Sequence, residues 1–147
     1  MDEVAYNPHR QPPPPGQLDV AAGVVFRKGK LLITQRRAQD RLGGLWEFPG
    51  GKREDWETFE ECLRRELMEE LGIEIEIGRM IESIDHQYPE KKIHLRFFWC
   101  RWTRHEPKLI ECQALAWVGP GQLDDYEFPE ADARLLARLK STPDFWR

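Results

Sequence analysis

Polar and apolar residues follow a helical period in one stretch of the chain, residues 59–71. Its apolar side chains recur every four residues and form one stripe, made of Leu63, Leu67 and Leu71. Thr58 can cap the first turn through its side-chain oxygen, and Glu61 follows at the spacing of a capping box. Gly72 stands where a left-handed C-terminal cap residue is needed. The pattern predicts an amphipathic helix over this stretch, preceded by a loop at the glycine pair of residues 50–51.

The other apolar segments have the short length and the alternation of β-strands. Strands are predicted at residues 18–26, 31–35, 45–49, 73–77, 80–88, 93–102 and 114–118. A second helix is predicted over residues 129–140, with a proline in its first turn and leucines on its apolar face. This order of elements predicts an α/β (α+β) sandwich, in which a mixed β-sheet packs between two helices.

The polar N-terminal segment differs in composition from the rest of the chain. It contains four consecutive prolines at residues 12–15, which favour an extended polyproline II conformation. Because it has almost no apolar surface to offset the entropy of ordering, residues 1–17 are predicted to be a disordered, proline-rich leader. Residues 18–147 then form a single domain, which is large enough to bury a hydrophobic core.

The charge and the cysteine content exclude several classes of protein. The chain has 147 residues and a formal net charge of −4, so it lacks the broad basic surface of a duplex-binding protein. No apolar run reaches the roughly 18 residues that a membrane span requires, and no signal peptide is expected. Three cysteines, an odd number without metal-ligand spacing, indicate a reducing compartment. We expect a cytoplasmic protein without a membrane partner.

Three glutamates on the predicted helix lie beside its apolar stripe. Glu66, Glu69 and Glu70 are spaced by three and four residues, which places their carboxylates within reach of one another. Like charges at this spacing destabilise a helix unless they are neutralised, and one pairing with Arg65 does not balance three acids. Oxygen ligands of this kind bind a hard divalent cation such as Mg2+. The alternative interpretation is a solvated acidic surface.

The same stretch resembles the signature of the Nudix hydrolases at every fixed position. The matching residues are Gly51, Glu57, Arg65, Glu66, Leu67, Glu69, Glu70, Gly72 and Ile73. Residues 45–52, with the sequence LWEFPGGK, are similar to the MutT-like branch of this family, and the resemblance extends over residues 20–139. The resemblance implies a sandwich of the kind predicted above. It also implies hydrolysis of a nucleoside triphosphate to a nucleoside monophosphate and pyrophosphate.

The resemblance further implies roles for individual residues. Mg2+, with Mn2+ as a substitute, would be bound by the Gly50 carbonyl and by the carboxylates of Glu66, Glu69, Glu70 and Glu111. Glu57 would hold metal-bound waters, Arg65 would orient the glutamates, and Lys52 would contact phosphate as a point charge. Glu66 and Glu111 are both candidates for the general base.

Substrate recognition is assigned to residues outside the signature. Arg36 and Arg37 end the second predicted strand, where they either are solvated or bind phosphate oxygens. Phe48, Tyr88 and Asp132 fall where MutT-like proteins contact the base. The two aromatic residues also suit a core, and Asp132 also suits the N-terminus of a helix. The bases left open are oxidised purines, as in 8-oxo-dGTP, and cytosine. We expect a monomer or weak homodimer that acts on a small nucleotide.

Two other functions are consistent with parts of this pattern. A base-recognition module without catalysis would share the fold but lack the acidic residues, which this chain retains. A Nudix hydrolase of a sugar or dinucleotide diphosphate would share the acids, but residues 45–52 favour the MutT-like branch. The leading prediction is therefore sanitation of the nucleotide pool by removal of 8-oxo-dGTP.

Overall fold

A computed structural model describes residues 6–147 as a β-sheet with one α-helix on each face. Its strands are β1 (Gln17–Arg27), β2 (Lys30–Gln35), β3 (Trp46–Glu47), β4 (Gly50–Lys52), β5 (Glu74–Gln87), β6 (Lys92–Arg104) and β7 (Ala114–Val118). The helices are α1 (Phe59–Leu71) and α2 (Ala133–Ser141). Short 3₁₀ turns span Pro8–Arg10, Pro120–Asp125, Glu130–Asp132 and Pro143–Trp146. Among these described helices, none combines the length and the apolar character of a membrane span. The predicted sandwich is confirmed.

The strands form one mixed sheet in which β1 and β6 are parallel neighbours. The order along the sheet is β3-β2-β1-β6-β5, and the other neighbours in this order pair antiparallel. β4 pairs with the first half of β1, whereas β7 pairs with β2. As a result, the strand that leads into α1 lies beside the centre of the sheet.

Each helix buries its apolar stripe against a different face of the sheet. The core on the α1 side includes Ala21, Val25, Leu63, Leu67 and Leu71. The core on the α2 side includes Val24, Phe26, Leu135, Leu139 and Trp146. Side chains of β1 alternate between the two cores because successive strand residues point to opposite faces. The three leucines of α1 are fully buried, so truncation of any one to alanine should cost about 2–5 kcal/mol.

Helix α1 begins and ends at the residues that the pattern predicted. Thr58 Oγ1 accepts the Glu61 N–H at 3.1 Å, and Glu61 Oε1 accepts the Thr58 N–H at 2.8 Å, which completes the capping box. Gly72 closes the helix with a φ of 68°, a left-handed conformation that glycine adopts without strain. Both ends of α1 are therefore determined by local sequence.

The prediction of a loop at the glycine pair was wrong, because these residues belong to strand β4. Gly50 and Gly51 pair with Ala22 and Ala21 of β1. A Cβ atom on Gly50 would lie 2.0 Å from the Ala21 carbonyl oxygen, and one on Gly51 would lie 2.3 Å from the Glu66 carboxyl carbon. The glycines therefore allow the backbone to approach β1 and α1 closely, rather than allowing it to turn.

Other predicted boundaries shift where tertiary pairing overrides local signals. The two strands predicted at residues 73–77 and 80–88 are one strand, β5 (Glu74–Gln87), because β6 pairs with it through bulges between Ile77 and Glu82. Helix α2 begins at Ala133, after a 3₁₀ turn, instead of at the proline four residues earlier.

The N-terminal segment contacts the domain within the described residues. Arg10 donates two hydrogen bonds to the Glu61 carboxylate, at 3.0 and 3.1 Å, and the Gln11 carbonyl accepts from Arg53 at 2.5 Å. Residues 1–5 of the predicted leader lie outside the described residues. The leader assigned to residues 1–17 thus has contacts that its composition did not predict, while its dispensability stays a prediction.

Candidate active site

The apolar stripe of α1 determines where the glutamates of the helix lie. Because Leu67 faces the sheet, the flanking Glu66 and Glu70 are partly buried, whereas Glu69 is exposed. The side chain of Glu66 is 14% exposed and that of Glu69 is 51% exposed. Glu66 lies against Gly51 of β4, at a distance that leaves no room for a side chain there. The helix thus brings two partly buried carboxylates and one exposed carboxylate towards β4.

Arg65 links the carboxylates of the site to one another. Its Nη2 and Nε atoms donate to the two oxygens of Glu57 at 2.6 and 3.1 Å, and Nη1 donates to Glu66 Oε1 at 3.0 Å. Longer contacts reach Glu69 at 3.3 Å and the Lys52 carbonyl at 3.2 Å. The hydrogen bonds to Glu57 raise the pKa of Arg65 against the opposing effect of burial, and the charges of Glu57 and Glu66 add to the rise. The guanidinium therefore stays charged.

Glu57 is buried beneath Arg65, with 1% of its surface exposed. Its Oε1 also accepts the Glu54 N–H at 2.9 Å, so both carboxylate oxygens have protein donors. Burial alone would raise the pKa of Glu57, but the hydrogen bonds from Arg65 and the Glu54 N–H outweigh it and lower the pKa. Glu57 therefore stays ionised and is held by Arg65, while its predicted contact with metal-bound waters stays a prediction.

Negative charge accumulates around Glu70. Burial, followed by the charges of Glu66, Glu47 and Glu111, raises the pKa of Glu70 to about 9. Burial also raises the pKa values of Glu66 and Glu47. A cation bound among these acids would lower their pKa values, because a nearby opposite charge favours the ionised carboxylate.

The donor set fits a hard divalent cation, since carboxylate and carbonyl oxygens are the ligands that Mg2+ takes. Glu66, Glu70 and Glu111 lie within electrostatic reach of one another, and Gly50 lines the same pocket as Glu70. As placed, the His, Cys, Asp and Glu side chains of residues 6–147 include no group of three that could hold a metal ion. Ligation therefore stays a prediction for Gly50, Glu66, Glu69, Glu70 and Glu111.

The loop between β6 and β7 brings Glu111 towards the acidic helix. The Lys108 N–H in this loop donates to the Leu71 carbonyl at 2.9 Å, at the C-terminus of α1. Arg37 donates to the Ile110 carbonyl at 2.7 Å and holds the loop from the other side. Arg37, which the sequence assigned to substrate phosphate together with Arg36, is thus engaged with the protein itself.

A pocket of about 340 Å3 opens beside Glu70 and contains most of the residues assigned to substrate binding. Its lining includes Arg36, Phe48, Gly50, Lys52, Tyr88 and Asp132. Phe48 stacks on Phe128 at a ring distance of 5.4 Å and packs edge-on against Phe97, so it belongs to the core as well as to the pocket wall. The ring of Tyr88 lies 4.3 Å from the Arg41 guanidinium. Both interpretations of Phe48, as a core residue and as a pocket residue, are therefore compatible with its position.

Glu47 is a pocket residue that the sequence-based prediction omitted. It lies on β3 and forms an ion pair with Arg36 at 3.0 Å, while Arg36 also donates to the Arg41 carbonyl at 2.6 Å. An acid between Trp46 and Phe48, within an otherwise apolar strand, is the signal that could have identified it. A partly buried carboxylate thus orients Arg36, whose predicted contact with phosphate stays a prediction.

Asp132 precedes α2 but does not cap the helix through its side chain. It is the N-cap residue by position, and its carboxyl group makes no capping hydrogen bond. Its surface is 6% exposed, and burial, followed by the charge of Glu47, raises the pKa of Asp132 to about 7. The structure therefore does not support the helix-cap interpretation and places this residue in the pocket wall.

The fold and the site together define an α/β sandwich whose acidic helix lies beside a pocket large enough for a small ligand. The chain belongs to the NUDIX family, because the family model described as NUDIX domain matches residues 21–138. It is similar to the CTP pyrophosphohydrolase of Escherichia coli (strain K12), with 39% identity over 119 residues that cover 81% of this chain and 88% of that protein. The 8-oxo-dGTP diphosphatase of Haemophilus influenzae is 37% identical over 123 residues, which cover 83% of this chain and 90% of that protein. The solved structure of the E. coli ORF135 protein has a TM-score of 0.74 and 36% identity, covering 85% of this chain and 89% of that one.

Proposed function

We propose that the protein hydrolyses 8-oxo-dGTP to 8-oxo-dGMP and pyrophosphate, and so removes an oxidised DNA precursor from the nucleotide pool. The reaction adds water across the anhydride bond between the α- and β-phosphates and depends on Mg2+, for which Mn2+ can substitute. The observation that carries the proposal is one pocket in which aromatic and basic side chains meet Glu70 of the acidic helix.

The pocket residues divide into a group suited to the base and a group suited to the phosphates of one nucleotide. Phe48 and Tyr88 offer aromatic surface for the base, and Asp132 offers a polar group for its edge. Arg36 and Lys52 carry positive charge for the phosphate oxygens. Because Glu70 also lines the pocket, a nucleotide bound there has its phosphates within reach of the acidic helix.

The acidic helix supports hydrolysis of the phosphoanhydride. When bound, the cation would neutralise charge on the phosphates and lower the pKa of a bound water. The ligands that we propose are the Gly50 carbonyl, Glu66, Glu69, Glu70 and Glu111. Arg65, which is anchored on Glu57, holds Glu66 in one orientation. Glu66 and Glu111 are the two candidates for the general base, and the pH dependence of kcat in their glutamine variants distinguishes them.

A second candidate substrate is CTP or dCTP. The relative named CTP pyrophosphohydrolase is 39% identical to this chain and the relative named 8-oxo-dGTP diphosphatase is 37% identical, so identity does not separate the two substrates. Hydrogen bonds from Asp132 to the base could distinguish the two substrates. An ionised carboxylate only accepts hydrogen bonds, whereas the neutral acid also donates one. Because the pKa of Asp132 is raised to about 7, both forms are populated near neutral pH.

We also propose that the protein acts in the cytoplasm as a monomer or weak homodimer on free nucleotides. The net charge of −4 does not favour binding to duplex nucleic acid. The pocket of about 340 Å3 is at the lower end of the size range for small-ligand sites, which suits one nucleotide.

A panel of substrates tests the proposed function. The purified protein is incubated with 8-oxo-dGTP, dGTP, dCTP, CTP, a nucleoside diphosphate sugar and a dinucleotide in Mg2+, in Mn2+ or in EDTA. The products are resolved by chromatography, and the binding of each compound is measured by calorimetry. We expect the highest kcat/KM for 8-oxo-dGTP, with a nucleoside monophosphate and pyrophosphate as products and no turnover in EDTA. Preferred hydrolysis of dCTP or CTP would favour the second candidate. Hydrolysis restricted to a sugar or dinucleotide diphosphate would overturn both, and binding without hydrolysis would indicate a recognition module.

A further inference from the structure

Arg53 is a buried arginine that lies just after β4 and outside the substrate pocket. It is 4% exposed, and its Nη2 and Nε atoms donate to Asp19 Oδ2 of β1 at 2.9 and 3.2 Å. Burying two opposite charges is costly, and an apolar pair of similar volume is often at least as stable. Stability by itself therefore does not account for an arginine at this position.

The other donors of Arg53 bind carbonyl groups from two separate segments. Nη2 donates to the Gln11 carbonyl at 2.5 Å, in the N-terminal segment. Nη1 donates to the Glu57 carbonyl at 2.8 Å and to the Glu54 carbonyl at 3.2 Å, in the turn before α1. The planar guanidinium presents five donors in fixed directions, so one side chain can join the two segments to β1.

The N-terminal segment lies beside Arg53 and contacts it through the Gln11 carbonyl. Prolines of this segment, together with Arg53 and Phe59, line a cavity of about 200 Å3. The segment is also attached to the first turn of α1, because Arg10 donates two hydrogen bonds to the carboxylate of Glu61. The contacts of Arg53 with this segment are therefore part of a docked surface rather than an isolated hydrogen bond.

The turn that Arg53 holds presents Glu57 to the acidic helix. The main chain of Glu57 is bound by Arg53, and its carboxylate is bound by Arg65, which in turn contacts Glu66. Each step in this series is a hydrogen bond of 3.1 Å or less. The contacts connect, in order, Gln11, Arg53, Glu57, Arg65 and Glu66.

We propose that Arg53 is a positioning residue, which fixes the Glu57 turn against the docked N-terminal segment and thereby sets the orientation of Arg65 and Glu66. Its kinetic consequence rests on the proposed hydrolase function. Because Arg53 does not line the pocket, it acts on kcat rather than on nucleotide binding. A displacement of about 1 Å among catalytic groups can cost about 100-fold in rate, so kcat is a sensitive measure of this orientation.

Arg53→Lys is the main variant, because lysine keeps the positive charge beside Asp19 but cannot reach the three carbonyls at once. We expect kcat to fall about 10- to 100-fold while KM changes by less than about twofold. Arg64→Lys is the matched control, since Arg64 is exposed on α1. A folded Arg53→Lys protein with the kcat of the wild type would overturn the proposal.

A second measurement does not depend on catalysis. The Nε–H of Arg65 donates to Glu57 Oε2 at 3.1 Å, so its resonance in 15N NMR spectra should be distinct and should exchange slowly with solvent. We expect Arg53→Lys to accelerate this exchange about tenfold or more, and Arg64→Lys to leave it unchanged. Unaltered exchange in Arg53→Lys would contradict the coupling. If no nucleotide is hydrolysed, the proposed function fails, and this measurement still decides on the role of Arg53.

The double variant Arg53→Met/Asp19→Leu provides the same test without an unpaired buried charge. Replacing both partners of a buried ion pair by apolar residues is often neutral or stabilising, whereas removing one partner can prevent folding. The double variant also lacks the three carbonyl contacts, so it should show the same loss of kcat and the same faster exchange at Arg65. Wild-type kcat in this protein would overturn the proposal.

Discussion

Arg65 donates hydrogen bonds to both carboxylate oxygens of Glu57, at 2.6 and 3.1 Å, across a separation of eight residues in sequence. The pairing joins the turn before α1 to the second turn of the helix, where the same guanidinium contacts Glu66. Gly51 leaves the space in which the Glu66 carboxylate lies. These four positions of the Nudix signature therefore form one connected unit, in which each residue holds or accommodates the next.

Glu57→Gln should weaken both the fold and catalysis. Glutamine at this position carries a neutral amide, whose NH2 group would face N–H donors of Arg65 or Glu54. Arg65 therefore loses its buried charged partner. We expect the free energy of unfolding to fall by about 1–3 kcal/mol, together with a lower kcat. Glu90→Gln, on the exposed turn between β5 and β6, is the control. Urea denaturation and steady-state kinetics provide the measurements, and equal stability of the two variants would rule out this role of Glu57.

Glu69→Gln and Glu70→Gln should each lower turnover by orders of magnitude, because each removes a proposed charged ligand of the cation. Their effects on the protein without metal should differ. Glu70 is partly buried among other acids, whereas Glu69 is exposed, so only Glu70→Gln should raise the melting temperature in EDTA. Near-wild-type turnover of both variants at saturating Mg2+ would argue against the metal assignment.

The gain in stability from Glu70→Gln should depend on pH. The pKa of Glu70 is raised from 4.5 to about 9 in the folded protein, so between these values the folded state binds more protons than the unfolded state. The contribution of Glu70 to the free energy of unfolding is therefore present at low pH and is lost as the pH rises through about 9. Melting temperatures of the variant and the wild type in EDTA should diverge between pH 5 and pH 9. A constant difference would contradict the raised pKa.

Asp132→Asn should change which base is preferred. The amide always donates and accepts, whereas the carboxyl does both only when it is protonated. If Asp132 contacts the base, the ratio of kcat/KM values for 8-oxo-dGTP and dCTP should change about tenfold or more, equivalent to about 1.4 kcal/mol. Steady-state kinetics of both proteins with both nucleotides provides the test. An unchanged ratio would remove Asp132 from base recognition.

Without nucleotide, the melting temperature of Asp132→Asn should depend on pH differently from that of the wild type. The pKa of Asp132 rises from 3.8 to about 7 on folding, because burial opposes ionisation and Glu47 adds negative charge. The folded state then binds more protons between these pH values, so this group contributes stability at low pH that is lost as the pH approaches 7. Asp132→Asn should gain melting temperature relative to the wild type as the pH rises from about 4 to about 7, and the difference should then stay constant. Parallel pH profiles would show that Asp132 titrates normally.

Deletion of the residues before Leu18 distinguishes two expectations for the N-terminal segment. Its composition predicts that the domain keeps its melting temperature and activity without it. The hydrogen bonds from Arg10 to Glu61 and from Arg53 to the Gln11 carbonyl predict a melting temperature lower by several degrees and a lower kcat. Thermal denaturation and kinetics of the shortened chain decide between them, and unchanged values would show a dispensable leader.

Local sequence accounts for the parts of the structure that depend on near neighbours. The ends of α1 follow from the capping box at Thr58 and the left-handed Gly72, both of which act within a few residues. The clustering of glutamates along α1 follows from helical periodicity alone. The mixed sheet between two helices could likewise be predicted from the order of the elements, because each apolar face must be covered.

Features that depend on residues distant in sequence follow only from the packing of the tertiary structure. Gly50 and Gly51 were predicted as a loop because only their conformational freedom is visible in the sequence, whereas the strand needs their lack of side chains next to β1 and Glu66. Arg36 and Arg37 are adjacent and chemically identical, yet one lines the pocket with Glu47 and the other binds a loop carbonyl. A sequence specifies which residues can pair, but the distance between them is set only when the sheet, the helices and the loops pack together.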